Sequence, residues 1–351
     1  MGTTANKLNK ILESKAAIKA AIEAKGVSDV GDVLAEYPDK IASISGGSGK
    51  FVVPNELKFG YSKVFDASQF DVSQVTDMST IFISYKGTSL DLSSWNTSNV
   101  ISMGSMFESC VNITSLDLSS LNVDNVTDMS YLFNSCSALK SINLTGWNTS
   151  NLTNMNSMFS YCNALTSIDD ISGFRDLDMS NVTMIESMFS TCSKLTSVDL
   201  TLNAPNLTST GNMFSSCEAL TSVIINSPSN PKLTNMSFMF SYCNKLTDLD
   251  LSNFDISNVS DFSYMFLEAP ALVNLKLKGI GEDSGISELT LDLTSCAALS
   301  KESVLYLFNN AFDREAADYT SAFTIKLNAA TKALLTEDEI AIATNKGFTV
   351  V

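Results

Sequence analysis

Histidine is absent from the 351 residues. With it goes the commonest general base near neutral pH and the commonest zinc ligand. Basic residues are scarce: 22 Lys and Arg stand against 38 Asp and Glu, a formal net charge of −16. A chain of that sign repels phosphate backbones and anionic lipid surfaces, so neither nucleic acid nor a membrane is expected as a partner. Charged residues make up only 17%, which excludes a charged disordered tail or a coiled-coil rod throughout. No run of about 18 apolar residues occurs, so no membrane-spanning helix is expected. The opening MGTTANKLNK has no apolar run behind its charges and does not read as a secretory signal. Asn6 stands where a myristoylation motif wants Ser or Thr.

What is abundant is a repeat. A Met-Phe dipeptide or a close variant recurs at Ile81-Phe82, Met106-Phe107, Leu132-Phe133, Met158-Phe159, Met188-Phe189, Met213-Phe214, Met239-Phe240 and Met265-Phe266. Successive Phe positions lie 25, 26, 26, 30, 25, 26 and 26 apart, and the long interval places a loop insertion around Asp169–Asp178. Each unit reads roughly L-T-S-L-D-L-S-x-W/F-N-x-S-N-V-T-x-M-S-x-M-F-x-x-C. In its first part Leu246, Leu249 and Leu251 point one way and Asp248 and Asp250 the other, a short strand with one buried face. In its last part Val126, Met129, Leu132 and Phe133 are spaced three and four apart, which predicts a short helical or 3₁₀ segment. One unit cannot bury its own apolar face, so the units are expected to stack, eight strands forming one sheet roughly 34 Å across. The fold class expected is an α/β repeat: a leucine-rich-repeat-like right-handed solenoid of about eight units, with a helical N-terminal segment and a C-terminal α/β cap.

Six of the seven cysteines, Cys110, Cys136, Cys162, Cys192, Cys217 and Cys243, follow the repeat Phe by three residues. None forms the close pair that a zinc site wants, and neighbours along a column rarely meet disulfide torsions. They read as a ladder of small buried residues. Sequons such as Asn148-Thr149-Ser150 and Asn181-Val182-Thr183 fall at fixed repeat positions and read as turn and cap residues.

The outward strand positions form two polar columns: Ser115, Ser141, Ser167, Ser197, Ser222, Asp248, Asn274 and Asp117, Asn143, Asp169, Asp199, Ile224, Asp250, Lys276. The candidate binding face is Ser115, Asp117, Ser141, Asn143, Ser167, Asp169, Ser197, Asp199, Asp248 and Asp250; a merely solvated face is the competing reading. Neither column carries an exposed aromatic of the kind a carbohydrate reader would offer. Trp95 and Trp147 share a column with Leu121 and Phe254, which places them in the core. Asp169-Asp170 is a carboxylate pair without a supporting constellation. No catalytic residue, metal ligand or cofactor is assigned. Calcium on the Asp column stays open, although no loop has EF-hand or nonapeptide spacing.

The units resemble the BspA-type leucine-rich repeats, including the related repeats of mycoplasma surface lipoproteins. The resemblance runs from about Phe65 to Gly279, with Thr114–Cys136 a near-consensus example. It implies a right-handed solenoid with a role in adhesion or recognition. Surface members of that family carry a signal peptide or lipid anchor, and the opening of this sequence shows neither pattern.

The two ends differ in kind. Leu8, Ile11, Lys15, Ile18 and Ile22 form a short heptad seam, with Leu8, Ile11, Ile18 and Ile22 the expected oligomerisation or attachment residues. Lys25-Gly26 reads as a helix stop, and Ser45-Gly46-Gly47-Ser48-Gly49 as a flexible linker. The words NKLNKILESKAAIKAAIEAKGV and YPDKI resemble the N-terminal regions of phage tail-fibre and related virion proteins, over about forty residues. At the other end Leu289, Leu291 and Leu293 make a strand, and Ser300 caps a helix carrying Val304, Leu305, Leu307 and Phe308. Phe323, Ile325 and Leu327 alternate as a strand, Thr336 and Glu339 form a capping box, and Gly347 precedes a last strand. Similar endings accompany BspA-type repeats of phage and prophage proteins.

The expected organisation is residues 1–45 as a helical attachment segment, 46–64 as linker and N-terminal cap, 65–285 as the repeats and 286–351 as the capping unit. The expected function is that of a non-enzymatic phage virion protein, tail or head fibre-like, displaying its repeats for host recognition. Its partners would be other virion proteins through the N-terminal helices, as a homotrimer, and a host surface protein or glycan. A bacterial surface adhesin and a virion decoration protein without a host ligand are the alternatives. Thiol titration of the denatured, unreduced protein is expected to find seven free thiols; two or three disulfides would contradict the buried-ladder reading.

Overall fold

The computed structural model describes residues 51–52, 59, 65–227, 229–281, 288–317, 319 and 321–351. The expected N-terminal helices, with Leu8, Ile11, Ile18 and Ile22, lie outside these residues. The described strands are β1 (Phe51–Val52), β2 (Phe70–Asp71), β3 (Ser115–Asp117), β4 (Ser141–Asn143), β5 (Ile171–Ser172), β6 (Ser197–Thr201), β7 (Ser222–Ser227), β8 (Asp248–Phe254), β9 (Asn274–Lys276), β10 (Glu288–Leu293), β11 (Ala322–Leu327) and β12 (Phe348–Val350). The helices are α1 (Lys301–Asn310), α2 (Ala329–Lys332) and α3 (Glu337–Thr344).

This corrects the expected fold class. The strands do not form one continuous solenoid sheet but four separate parallel sheets: β1-β2, β3-β4-β5, β6-β7-β8-β9 and β10-β11-β12. All three described α-helices follow residue 300, so the repeats themselves are not α/β units. Two local causes are visible. Strands β3 and β4 stop after three residues at a turn in which the side chain at their end accepts the N–H two residues on, Asp117 from Ser119 at 3.1 Å and Asn143 from Thr145 at 3.1 Å. The insertion then interrupts the sheet after β5 (Ile171–Ser172), where Ile168–Asp170 and Phe174–Asp176 are 3₁₀ turns.

The Met-Ser-x-Met-Phe segments are ribbons of turns. Sixteen non-glycine residues have positive φ, and they form eight pairs four residues apart, from Thr80 and Ser84 to Tyr264 and Glu268. In the third ribbon Tyr131 (φ 58°) and Ser135 (φ 61°) are the pair. There the N–H groups of Met129, Tyr131, Phe133 and Ser135 donate to the carbonyls of Asn154, Asn156, Met158 and Ser160 in the next repeat, at 2.8–3.0 Å. The residues between them close turns inside the ribbon, Leu132 on Met129 and Asn134 on Tyr131. Alternate N–H groups thus point out of the ribbon. A helix turns every N–H along its own axis and leaves none for a neighbour, which is why three-and-four spacing here does not make one.

Inside, the eight repeat Phe rings stack in a column, with centroids 5.4 to 6.1 Å apart and planes within 13° of parallel from Phe82 to Phe266. The insertion contributes to this core. Phe174 is buried and meets Phe159 and Phe189 edge-on, at 6.0 and 5.7 Å.

The C-terminal elements stand where the pattern placed them. Ser300 accepts from the Ser303 N–H, and Thr336 and Glu339 form the capping box. Helix α1 covers the free edge of β9: the Ser303 hydroxyl accepts the Leu275 N–H and donates to the Val273 carbonyl, both at 2.9 Å. Lys346 donates to the carbonyls of Phe308, Asn309 and Ala311 at the end of α1. Arg314, buried, donates to the Gly281 carbonyl and to Ser321.

Gly173 (φ 81°) enters the insertion, and a Cβ there would lie 2.7–2.9 Å from the Thr145 and Leu144 backbone. Gly146 (φ 86°) has open space around the same position. Gly146→Ala is expected to cost about 1 kcal/mol, the left-handed penalty alone. Gly173→Ala adds about 1–3 kcal/mol of overpacking. Urea unfolding of both variants checks this; equal losses would show that the insertion yields without strain.

Candidate functional site

The strand-face columns form in part. Ser115 faces Ser141 and Asp117 faces Asn143 across β3-β4. Ser197, Ser222, Asp248 and Asn274 line up across β6 to β9, as do Asp199, Ile224, Asp250 and Lys276. Ser167 bridges to Ser197. Asp169 is the exception. It lies in the 3₁₀ turn Ile168–Asp170, and the residue opposite Asn143 is Ser172. The insertion shifts the register there, which simple repeat counting did not follow. Asp169 instead accepts from Arg175 at 3.1 Å, and Arg175 also donates to the Asp199 carbonyl, so this side chain spans the break between two sheets.

Three pairs on this face satisfy one another. Asp117 accepts from the Ser119 hydroxyl at 2.7 Å and from Asn143 at 3.0 Å. Asn274 donates to Asp248 at 2.6 Å and Lys276 to Asp250 at 2.9 Å. The Asp117 carboxyl is held below its usual range by the Ser119 hydroxyl and N–H, and Asp248 by Thr247 and Asn274. Burial pushes Asp250 up, but the Ser252 and Lys276 hydrogen bonds outweigh it and the net shift is downward.

The turn and cap reading of the sequons holds. Asn99, Asn125, Asn151, Asn181 and Asn206 each donate Nδ2 to a carbonyl of the preceding repeat at 2.7–2.8 Å. The two tryptophans are core residues, with Nε1 of Trp95 on the Ala67 carbonyl and of Trp147 on the Leu118 carbonyl. All seven cysteines are free and buried. The six column thiols each donate to a Phe carbonyl of a preceding repeat at 3.0–3.3 Å.

The structure adds a surface that sequence reasoning missed. Tyr131, Tyr161, Tyr242 and Tyr264 are 46, 50, 46 and 58% exposed. All four occupy left-handed positions of the ribbons. Phe238, half-buried at such a position, stacks on Tyr264 at 4.9 Å. The signal was available, because aromatic residues recur in the variable slots of M-S-x-M-F-x-x-C, but a helical reading gave those slots no common direction. Beyond the last ribbon lies a cleft of about 430 Å³ between Ser260–Tyr264 and the β10 strand. Among the described residues no group of His, Cys, Asp or Glu is placed to hold a metal ion, and no helix is long and apolar enough to cross a membrane.

The family model described as "Mycoplasma protein of unknown function, DUF285" matches three overlapping segments, residues 57–172, 117–229 and 166–275, which together span more than half of the chain. No curated protein matches it.

Burial pushes the thiols of Cys192, Cys243 and Cys296 up from an ordinary value of 9.0 to about 12. The unfolded chain releases these protons near pH 9 while the folded one keeps them. The stability they contribute is therefore complete below about pH 9 and is lost as pH rises toward 12. Urea midpoints at pH 8, 9.5 and 11 are expected to fall in that order, less steeply in Cys192→Ala. A flat profile would show that the thiols titrate alike in both states.

Proposed function

The chain belongs to the DUF285 family, and we propose that it is a non-catalytic recognition protein whose contact surface is the row of turn ribbons with their exposed tyrosines. The observation that carries this reading is the position of Tyr131, Tyr161, Tyr242 and Tyr264 at left-handed backbone positions on the outside of a hydrogen-bonded ribbon. A bulky side chain is strained there, and Ser or Asn fills the equivalent slot in other repeats without that burden, as Ser157, Ser187 and Asn212 show. Exposed tyrosine supplies large amphipathic contact area at low entropy cost, and such residues dominate binding energy where interfaces have been dissected. The polar strand face, where Asp117, Asp169, Asp248 and Asp250 are already hydrogen-bonded to neighbours, is the weaker candidate.

Two settings fit a recognition protein. The pattern of residues 1–45 supports a phage virion protein, tail or head fibre-like, attached through those helices to other virion proteins and trimeric. The resemblance of the repeats to those of BspA-type surface proteins supports a bacterial surface adhesin. A decoration protein that binds no host ligand is the remaining alternative.

The test uses labelled full-length protein against bacterial strains and animal cells. Tyr131→Asn, Tyr161→Asn and Tyr242→Asn are combined, since Asn tolerates the left-handed region. Binding is expected to drop at least tenfold with the unfolding midpoint unchanged. Strain-specific binding to bacteria would favour the virion setting, and binding to animal cells the adhesin. Binding that survives in the triple variant would overturn the ribbon reading, and no binding to any cell would leave decoration in its place.

A further inference from the structure

The array of repeats ends in two different ways. On the strand side its edge is closed: Ser303 of α1 takes the Leu275 N–H and supplies a hydroxyl to the Val273 carbonyl. On the ribbon side it is open. Among the described residues, the groups that link each ribbon to the next have no counterpart at the last one. Met236 and Phe238 donate to Asp261 and Ser263, and the Thr234 carbonyl accepts from Ser260 and Asp261. One repeat later the equivalent groups are the Phe262 and Tyr264 N–H and the Ser260 carbonyl. Among the described residues nothing accepts from the first two or donates to the third. In the preceding ribbons such N–H groups donate to the following repeat, Ile185 being the exception, so here they point past the end of the array, into the cleft of about 430 Å³ that Ser260, Phe262 and Tyr264 line.

We propose that this cleft binds an extended basic peptide, which adds itself to the open ribbon edge as a further repeat would. An edge that offers a carbonyl followed by alternate N–H groups matches the backbone of an extended segment, the basis of strand-addition recognition. The cleft volume lies within the range of ordinary ligand sites. The sign of the partner follows from the walls. Asp261, Glu288 and Asp292 face the cleft with Lys326 as the basic residue of its lining. Asp261 and Asp292 each give Oδ1 to a turn, at 2.8 Å to the Ser263 N–H and 2.9 Å to the Thr294 N–H, and keep Oδ2 as a further acceptor. Tyr264, 58% exposed and backed by Phe238, supplies a ring beside the edge for an aliphatic stem or a cation. This inference shares Tyr264 with the ribbon-face reading but rests on the open edge and the carboxylates at the end of the array, which that reading does not use.

The experiment is fluorescence anisotropy on the full chain with labelled acetyl-Lys-Gly-Lys-Gly-Lys-amide, its Glu counterpart, and maltotriose as competitor. Hydrogen exchange over residues 260–268 is followed alongside. The basic peptide is expected to bind and the acidic one not. Exchange at Phe262 and Tyr264 should slow at least fivefold on binding. Asp261→Asn combined with Asp292→Asn should weaken binding at least tenfold with an unchanged unfolding midpoint. Asn keeps the Oδ1 acceptor and already occupies the Asp261 column at Asn154 and Asn235. Equal affinity for both peptides, displacement by maltotriose, or exchange at these amides unmoved by a bound peptide would each overturn the proposal. Loss of cell binding in the tyrosine triple variant with peptide binding retained would separate this site from the ribbon surface.

Discussion

The structure depends on where alternate backbone N–H groups point. In each ribbon a right-handed turn closes one N–H locally and a left-handed residue swings the next one outward, to the carbonyl of the neighbouring repeat. Left-handed backbone costs about 1–2 kcal/mol per non-glycine residue, and the eight pairs make that cost recur along the whole array. It is sustained because an unmade buried N–H costs as much or more. Seven of the eight ribbons find their acceptors in the following one. The cost and the compensation are therefore properties of neighbouring repeats together.

The side-chain columns follow from that spacing. Once the backbone fixes one repeat against the next, a residue that recurs every 26 positions meets its own copy or the carbonyl beside it. Phe stacks on Phe. Cys, Asn and Thr each reach back to a main-chain oxygen, as Cys136 does to Phe107, Asn125 to Ser98 and Thr153 to Thr127. Where the sequence departs from the pattern, a neighbour compensates. Met184 stands in the column of Asp128 and Asn154 but has no turn acceptor, and the Glu186 N–H it would have served is taken by Asn156 at 2.8 Å.

How legible this was depended on whether a residue answers to its own repeat or to the next. The repeat register, the Cys ladder, the structural Asn residues, the buried tryptophans and the caps at Ser300 and Thr336 could be read because each has a local or strictly periodic signal. The ribbon could not. Val126, Met129, Leu132 and Phe133 have helical spacing, and nothing in one repeat shows that its N–H groups are committed to another. The division into four sheets was hidden for a similar reason: β3 ends at the turn of Asp117 while β8 runs on through the same turn at Asp250, and the break after β5 goes with the seating of Phe174, so the local pattern alone does not set strand length. Asp169 was misplaced because the insertion moves Ser172 into its place opposite Asn143, a three-residue change that could be absorbed at several points along the insertion. The exposed tyrosines were missed as a consequence of the helical error, because their common direction exists only in the ribbon.

The same constraint bears on where partners can bind. A structure stabilised between neighbours has an unresolved account only at its ends, and each end must be closed by something other than a repeat. At the strand edge the Ser303 hydroxyl stands in for a missing strand by accepting and donating at once, and the Ser300 N–H joins it on the Val273 carbonyl at 3.0 Å. Among the described residues no such side chain meets the ribbon edge at Phe262 and Tyr264. The C-terminal unit stands off instead, with β10 across a cleft whose charged residues are three carboxylates and one lysine. If that edge had no use, a second residue like Ser303 would be enough to close it, and the fold shows that such a closure is within its reach. That the edge stays open where the carboxylates Asp261, Glu288 and Asp292 gather is the reason to look there for a partner, and to look along the tyrosine row for a different one.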